Sequence, residues 1–421
     1  MRGATPSSAR ERHAVLGPVG APFVATYALA YMSVALMLIA PLLVTLALKI
    51  RSLVGADQAP TSLALVTGVG GLLALFAAPV FGRLSDRTSS RHGMRRPWMI
   101  GGLIGGVLGI TVVATAPNIA TVLAGWCLAQ VSFNALQAAL VAVLPDQVPV
   151  SQRGTVSGVL GITVPVAAVL GTLLVQLFAG HHAGMFLAPC AIGGCLVLLF
   201  AATLDDRRLG RHDARRWTPR DLIAAFLLNP RRHPDFAWAF AGRFLFICAY
   251  AFLTTYQAFY LLEQVGSSED DVPGHVFLAT LIQSCVLVVA SLLGGRLSDR
   301  TGKRKPFVVA AALTYGAALF VVAWSDTLAG FLVGMAISGL GFGTYMAVDL
   351  ALVTDVLPDP ASSARDMGLF NIANALPYAL APAVAPAILA ASGDSYGVLY
   401  AVAGACAVLA AAAVVPIRSV R

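Results

Sequence analysis

Seven residues occur twice in this chain, letter for letter: GRLSDRT at Gly82–Thr88 and again at Gly295–Thr301, 213 positions later. In each copy an aspartate, Asp86 or Asp299, stands beside an arginine, Arg87 or Arg300. Each copy leads into a basic cluster closed by proline, SSRHGMRRP after the first and GKRKP after the second. Carboxylate beside guanidinium is the chemistry of a latch, a set of charge-assisted bonds that hold in one arrangement and break in another. Gly82 and Gly295, lacking side chains, predict close approach of helix backbones at the loop entrance. Asp86 and Asp299 are expected to accept backbone N–H bonds at the start of a neighbouring helix, where the dipole favours negative charge by ~0.3–1 kcal/mol. Arg87 and Arg300 are expected to pair with carboxylates on adjacent helices or with lipid phosphates. Topological anchoring by positive charge explains the arginines, but not the repeated aspartate.

Two further ionisable residues lie inside apolar runs, Arg243 and Asp349. A charge at mid-membrane costs at least ~2.5–3.5 kcal/mol, so one that is retained points to a task. Two pairings are open: Arg243 with Asp349, closing the inner side of a cavity, or Asp349 with Arg296 or Arg300 as part of the latch. Uncharged polar residues recur at helical spacing. Gln130, Asn134 and Gln137 fall at i, i+4 and i+7, as do Tyr250, Thr254 and Gln257. Ser338 and Tyr345 lead to Asp349 on one stripe, Asn371, Asn374 and Tyr378 form another, and Tyr27 and Tyr31 a third. As a set they suit a cavity for a polyhydroxylated solute, because each hydroxyl both donates and accepts. Taken singly, each also fits polar glue between packed helices, worth ~0.6 kcal/mol.

The elements that position these residues follow from composition. Of 421 residues, 58% are hydrophobic and 11% charged, with a mean hydropathy of +0.80. No soluble surface is built from so little charge. The chain reads as an all-α polytopic membrane protein. A crossing helix needs about 20 apolar residues, and twelve runs meet that need: 21–48, 62–82, 97–116, 118–144, 155–179, 184–204, 237–262, 275–295, 306–324, 327–352, 367–391 and 396–416. The first run is longer than a signal-peptide core and is expected to stay as a span. The net charge of +8 sits in short clusters between runs, which argues for topology rather than nucleic acid. Alternate loops hold Arg83, Arg87, Arg91, Arg95 and Arg96; Arg153; eight arginines from Arg207 to Arg232; Arg296, Arg300, Lys303, Arg304 and Lys305; and Arg365. The opposite loops hold only Lys49 and Arg51, with Glu263, Glu269, Asp270 and Asp271 in one of them. The asymmetry predicts an integral protein of the cell membrane with both termini cytoplasmic.

The repeat also sets the organisation. Leu144–Pro145 recurs as Leu357–Pro358, again 213 residues on, which predicts two pseudo-symmetric six-helix bundles around a central cavity. The expected units are an N-terminal tail at 1–20, a bundle at 21–204, a basic linker at 205–236, a second bundle at 237–416 and a tail at 417–421. Within the linker, Leu222–Leu228 can lie at the membrane surface as an amphipathic helix.

G-R-L-S-D-R-T with its trailing basic residues, present in both halves, resembles the loop signature of the major facilitator superfamily. Ser85, Asp86, Arg87, Ser90, Arg91, Gly93, Arg95, Arg96, Pro97 and Trp98 are similar in spacing to plant-type sucrose carriers and to glycoside–cation symporters of the melibiose type. That resemblance implies twelve helices with spans one, four, seven and ten lining the cavity, where most of the polar stripes fall. The chain departs from those branches. No carboxylate lies within the first two spans, 21–48 and 62–82, where melibiose-type carriers place cation ligands. Span four carries amides where sucrose carriers carry charge, and Gly158, Gly161, Pro165 and Gly171 do not form the G-P-x-x-G-G pattern of many drug antiporters. Proton coupling is therefore expected to fall to Asp349, to act near Glu263, or to be absent.

The expected function is secondary transport of a small organic solute by a monomer, as proton-coupled uptake of a sugar or glycoside; the alternative is export of a hydrophobic metabolite or drug. A receptor that kept the fold without transport is the third class, disfavoured by the repeated latch. Enzyme motifs are lacking: there is no G-x-x-x-x-G-K-[ST], no H-E-x-x-H, and no G-x-S-x-G at a strand–helix turn. No cofactor or metal is expected, since His181 and His182 have no ligand partners nearby and the six cysteines, scattered in apolar runs, read as small packing residues.

Overall fold

The computed structural model describes residues 17–206, 234–356 and 372–417. All regular structure among them is helical: α1 (Ala21–Ala40), α2 (Leu46–Asp86), α3 (Arg96–Thr115), α4 (Ile119–Gln147), α5 (Val150–Leu177), α6 (His182–Thr203), α7 (Pro234–Glu263), α8 (Val272–Thr301), α9 (Lys305–Ala323), α10 (Leu328–Val356), α11 (Pro377–Ser392) and α12 (Tyr396–Val414). Among the described residues, eleven helical stretches are long and apolar enough to cross a membrane, and the first, Ala21–Asp86, is 66 residues long, enough for two spans. This corrects the expectation of a loop between spans one and two. Pro41 cannot donate a backbone bond, and the chain there widens into a π-helical turn, Pro41–Thr45, before continuing. The reversal occurs at Gly55 alone, whose φ of 76° and ψ of 175° interrupt the helix. A side chain at that positive φ would be strained.

Sequence chemistry sets several other boundaries. Pro97 and Pro306, the prolines that close the two basic clusters, lie in the first turns of α3 and α9, where a missing N–H costs nothing. Asn118 caps α4 by accepting from the Thr121 amide at 3.0 Å, and Ser395 caps α12 through Val398 at 3.3 Å.

Helix packing repeats between the halves. In the first, α1 packs on α5 and α6, α2 on α4, and α3 on α4 and α6; in the second, α7 packs on α11 and α12, α8 on α10, and α9 on α10 and α12. Across the halves α2 meets α11 and α5 meets α8, a pairing that is itself symmetric. Small residues permit these seams. A Cβ on Gly109 would stand 2.6 Å from the Ala129 nitrogen, and one on Gly341 2.7 Å from the Tyr315 nitrogen. Successive helices alternate in direction, so both GRLSDRT copies lie at one end of the bundle, here the basic end. Arg51, Glu263 and Asp326 mark the far end. Residues 222–228 and Arg365 lie outside the described residues.

Candidate functional site

The first heptapeptide closes around a residue outside it. Arg95, only 4% exposed at the start of α3, donates to Asp86 at 2.6 Å and to Asp146 at 2.8 Å, and also to the Ser85 hydroxyl. It therefore ties the end of α2 to the end of α4. Asp206, just beyond α6, accepts the backbone N–H groups of Arg95 and Arg96 at 2.8 and 2.7 Å. Those amides are orphan donors at a helix start, where the dipole also favours the carboxylate. Gly93, with φ of 103°, makes room for it, since any Cβ there would run into the Asp206 side chain. Arg96 completes the tie by donating to the Leu204 carbonyl at 2.5 Å.

The second heptapeptide forms the same core with fewer partners among the described residues. Arg304 donates to Asp299 at 2.6 Å and to Ser298 at 3.3 Å. Lys305, the counterpart of Arg96, donates to the carbonyls of Val415 and, at 2.9 Å, of Ile417.

Two expectations are corrected here. Asp86 and Asp299 pair with arginine side chains, and Asp206 is the residue that caps a helix start. Gly82 has no neighbour within 4 Å where a Cβ would stand, and the nearest to Gly295 is Ala347 at 3.7 Å. The tight approaches fall elsewhere, at Gly71 against Ala379 and at Gly294 against Thr344, at 3.1 and 3.0 Å. The side chains of Arg87 and Arg300 are both exposed at the basic end.

Deeper in the second bundle, Arg243 of α7 donates to Asp349 of α10, and its other terminal nitrogen reaches Asn374 at 3.4 Å. The side chains are 13% and 4% exposed. Of the two open pairings, Asp349 takes Arg243. All three residues belong to one bundle, so the pair ties α7 to the helices beside it and does not itself bridge the two halves. Aromatic rings surround it. Phe246 stacks on Tyr345 at 3.6 Å between centroids, Tyr250 on Phe342 at 4.4 Å, and Tyr378 meets Tyr250 edge-on at 6.3 Å. A buried ion pair is tolerated when further hydrogen bonds meet its remaining valences; here Asn374 meets one.

The polar stripes separate into two groups. Tyr31, Gln130, Asn134, Gln137, Tyr250, Asn374 and Tyr378 are half-buried. Thr254, Gln257 and Tyr345 are buried. Thr254 bonds the Tyr250 carbonyl at 3.0 Å, and Asn134 bonds the Gln130 carbonyl at 2.8 Å, so part of the expected hydrogen-bonding capacity is used within each helix. Asn371 lies outside the described residues.

At the far end the halves are clasped together. Arg51 donates to Glu263, and to Glu269 at 3.2 Å. Below this, the Tyr256 hydroxyl donates to the Pro382 carbonyl at 3.1 Å and lies 3.5 Å from that of Pro60. Arg95, Asp146, Asp206 and Arg51 were not singled out from the sequence. Aligning the clusters on their closing prolines, RRP with RKP, matches Arg95 to Arg304 and would have found the first. Asp206 gave no local signal, lying 111 residues from its partner.

A family model described as the Major Facilitator Superfamily matches residues 23–290 and 276–420. A stretch of 156 residues is 29% identical to the multidrug resistance protein MdtL of Klebsiella pneumoniae (strain 342). One of 158 residues is 31% identical to MdtL of Escherichia coli O45:K1 (strain S88 / ExPEC). Each alignment spans 35% of this chain and 38% of the relative, so the chain matches well under half the length of those relatives. Among solved structures, the nucleoside transporter NupG superposes with a TM-score of 0.75 over 94% of this chain and 99% of that one, at 14% identity. A bacterial homolog of the human lysosomal transporter Spinster, inward-facing and unoccupied, gives 0.69 over 99% of each chain at 16% identity. At such identities the likeness is one of fold.

Proposed function

The chain belongs to the major facilitator superfamily, and on that premise we propose that it is a secondary transporter of a small organic solute, exposing one central site alternately to either side of the membrane. The repeated basic-end latches and the far-end clasp supply the two sets of contacts that such an exchange must make and break. The arginine distribution supports placing the basic end, and both termini, on the cytoplasmic side of the cell membrane.

The observation that carries the reading is the Arg243–Asp349 pair set among Phe246, Tyr250, Phe342, Tyr345 and Tyr378. Rings present flat apolar faces, and the pair supplies the one strongly polar feature. That combination suits an amphipathic, partly aromatic solute better than a sugar, which needs many free donors and acceptors. The internal bonds of Thr254 and Asn134 remove some of those. Of the two functions open from the sequence, we therefore favour export of a hydrophobic metabolite or drug over uptake of a sugar or glycoside. The similarity to chains named multidrug resistance proteins supports the same choice.

A thermal-shift screen of purified protein against amphipathic aromatic compounds, glycosides and sugars tests the solute class. Stabilisation by aromatic compounds is expected; stabilisation by sugars alone returns the reading to uptake. Asp349 is the proposed proton-sensitive group, because taking up a proton there would free Arg243 for the solute or another carboxylate. In proteoliposomes, Asp349→Asn is expected to abolish flux driven by a pH gradient while solute binding persists. Unchanged gradient-driven flux would remove Asp349 from that role.

A further inference from the structure

The two halves differ in one place where their symmetry predicts likeness. On the outer flank of the α8–α10 seam an apolar groove of about 470 Å³ runs from Cys285 to Leu297, with Leu293, Gly294, Leu340 and Phe307 along it. Twelve residues of helix make it about 18 Å long, roughly one leaflet of a ~30 Å hydrocarbon core. Subtracting 213 from its positions gives the matching seam of the first half, α2–α4. There Phe76 stands for Val289 and Phe81 for Gly294, and the closing-proline alignment sets Trp98 for Phe307. Phe81 and Trp98 lie against each other with centroids 5.4 Å apart. The first half thus fills with its own rings a space that the second half leaves open.

We propose that this groove is a binding site for one anionic phospholipid of the basic-end leaflet, with an acyl chain along α8 and the phosphate at Arg296 and Arg300. The groove faces lipid: Val289, Leu293 and Leu297 are 56, 60 and 53% exposed. It lies on the flank of α10 away from Tyr345 and Asp349, so it is distinct from the proposed solute site. Its charge is complementary to that occupant. Arg296 is three residues on from Leu293, and Arg300 three on from Leu297, which places both at the basic mouth of the groove on the same helix face. Both are exposed, and neither forms an ion pair with any described residue. An acyl chain alone would not select a lipid, since every phospholipid has one; two arginines at the depth of the headgroups select negative charge. In the first half Phe81 and Trp98 lie against each other beside the same heptapeptide, which sets the second half apart.

Native mass spectrometry of the whole protein, released from detergent containing equal amounts of phosphatidylglycerol and phosphatidylcholine, tests this. The wild type is expected to retain phosphatidylglycerol at least threefold over phosphatidylcholine. Arg296→Gln with Arg300→Gln is expected to erase the preference, and Gly294→Phe, which copies the first half, to remove the retained lipid. Because a Cβ at Gly294 presses on Thr344, Val289→Phe at an exposed position serves as the second filling variant and is expected to act in the same direction. Equal retention of the two lipids by the wild type would overturn the proposal. So would a preference that survives both filling variants, or a groove occupied by a second copy of the chain, seen as a dimer that Val289→Phe dissociates.

Discussion

Two identical heptapeptides sit in unequal surroundings. In the first loop the Arg95 side chain is 5% exposed and reaches two carboxylates and a serine. In the second, Arg304 is 26% exposed, and its bonds among the described residues go to Asp299 and Ser298. The backbone frame around them is the same. Arg96 reaches the carbonyl of Leu204 and Lys305 that of Ile417, positions 213 residues apart like the loops themselves. What differs is the reach of the following segment: the first cluster is four residues longer, enough to bury its arginine between α2 and α4 and to bring Asp206 over the start of α3. A shared motif therefore fixes which groups meet, while its flanks decide how much water they keep, and water decides how strongly they hold.

The largest effect that could break this comparison is at Arg95. Arg95→Gln leaves Asp146 and the Ser85 hydroxyl without their buried partner, and is expected to cost about 3 kcal/mol, the low end for breaking a buried pair, because Asp86 is 59% exposed. The midpoint of thermal unfolding in detergent measures it. Arg95→Lys is expected to recover little, since one ammonium cannot span three acceptors as a planar guanidinium does. If Arg95→Gln and Arg304→Gln shifted the midpoint equally, the contrast in burial would carry no energy.

Asp206 sharpens the comparison at intermediate size. Asp206→Ala removes the acceptor for two amides at the start of α3, an expected loss of about 1–2 kcal/mol. Asp206→Asn keeps an acceptor oxygen and gives up the charge, so it should recover more than half of that loss in the same unfolding measurement. Equal loss from Ala and Asn would assign the whole effect to charge.

The sequence showed the twelve spans because apolar length is read directly, and it showed the two-bundle plan because the spacing of 213 at Gly82 returns at Leu144. It did not show that spans one and two form one helical stretch: a single glycine, Gly55, makes the reversal, and nothing in its neighbours marks it. It paired Asp86 and Asp299 with helix starts on motif position alone, whereas the bond to a helix start comes from Asp206, which no spacing rule links to Arg95. The Arg243–Asp349 pair was visible as two isolated charges in apolar runs. That Asp349 pairs with Arg243 and not with Arg296 or Arg300 was not, because span direction gives depth but not azimuth. The lipid-facing groove was hidden for a different reason: it depends on the absence of Phe81 and Trp98 equivalents, and appears only when the halves are compared residue by residue.

The smallest effect is at the second loop, and its salt dependence is the informative part. Asp299 is 68% exposed and Arg304 26%, so Arg304→Gln is expected to cost only about 0.5 kcal/mol at low ionic strength. At 1 M salt the Debye length falls to about 3 Å, and most of that loss should vanish. The loss from Arg95→Gln should persist at the same salt, because ions do not enter between the ends of α2 and α4. Measuring both variants at about 0.05 and about 1 M salt, two well-separated screening regimes, separates burial from mere proximity. If salt erased both losses, the first loop would be a surface clasp like the second, and the asymmetry would reside in the number of its partners alone.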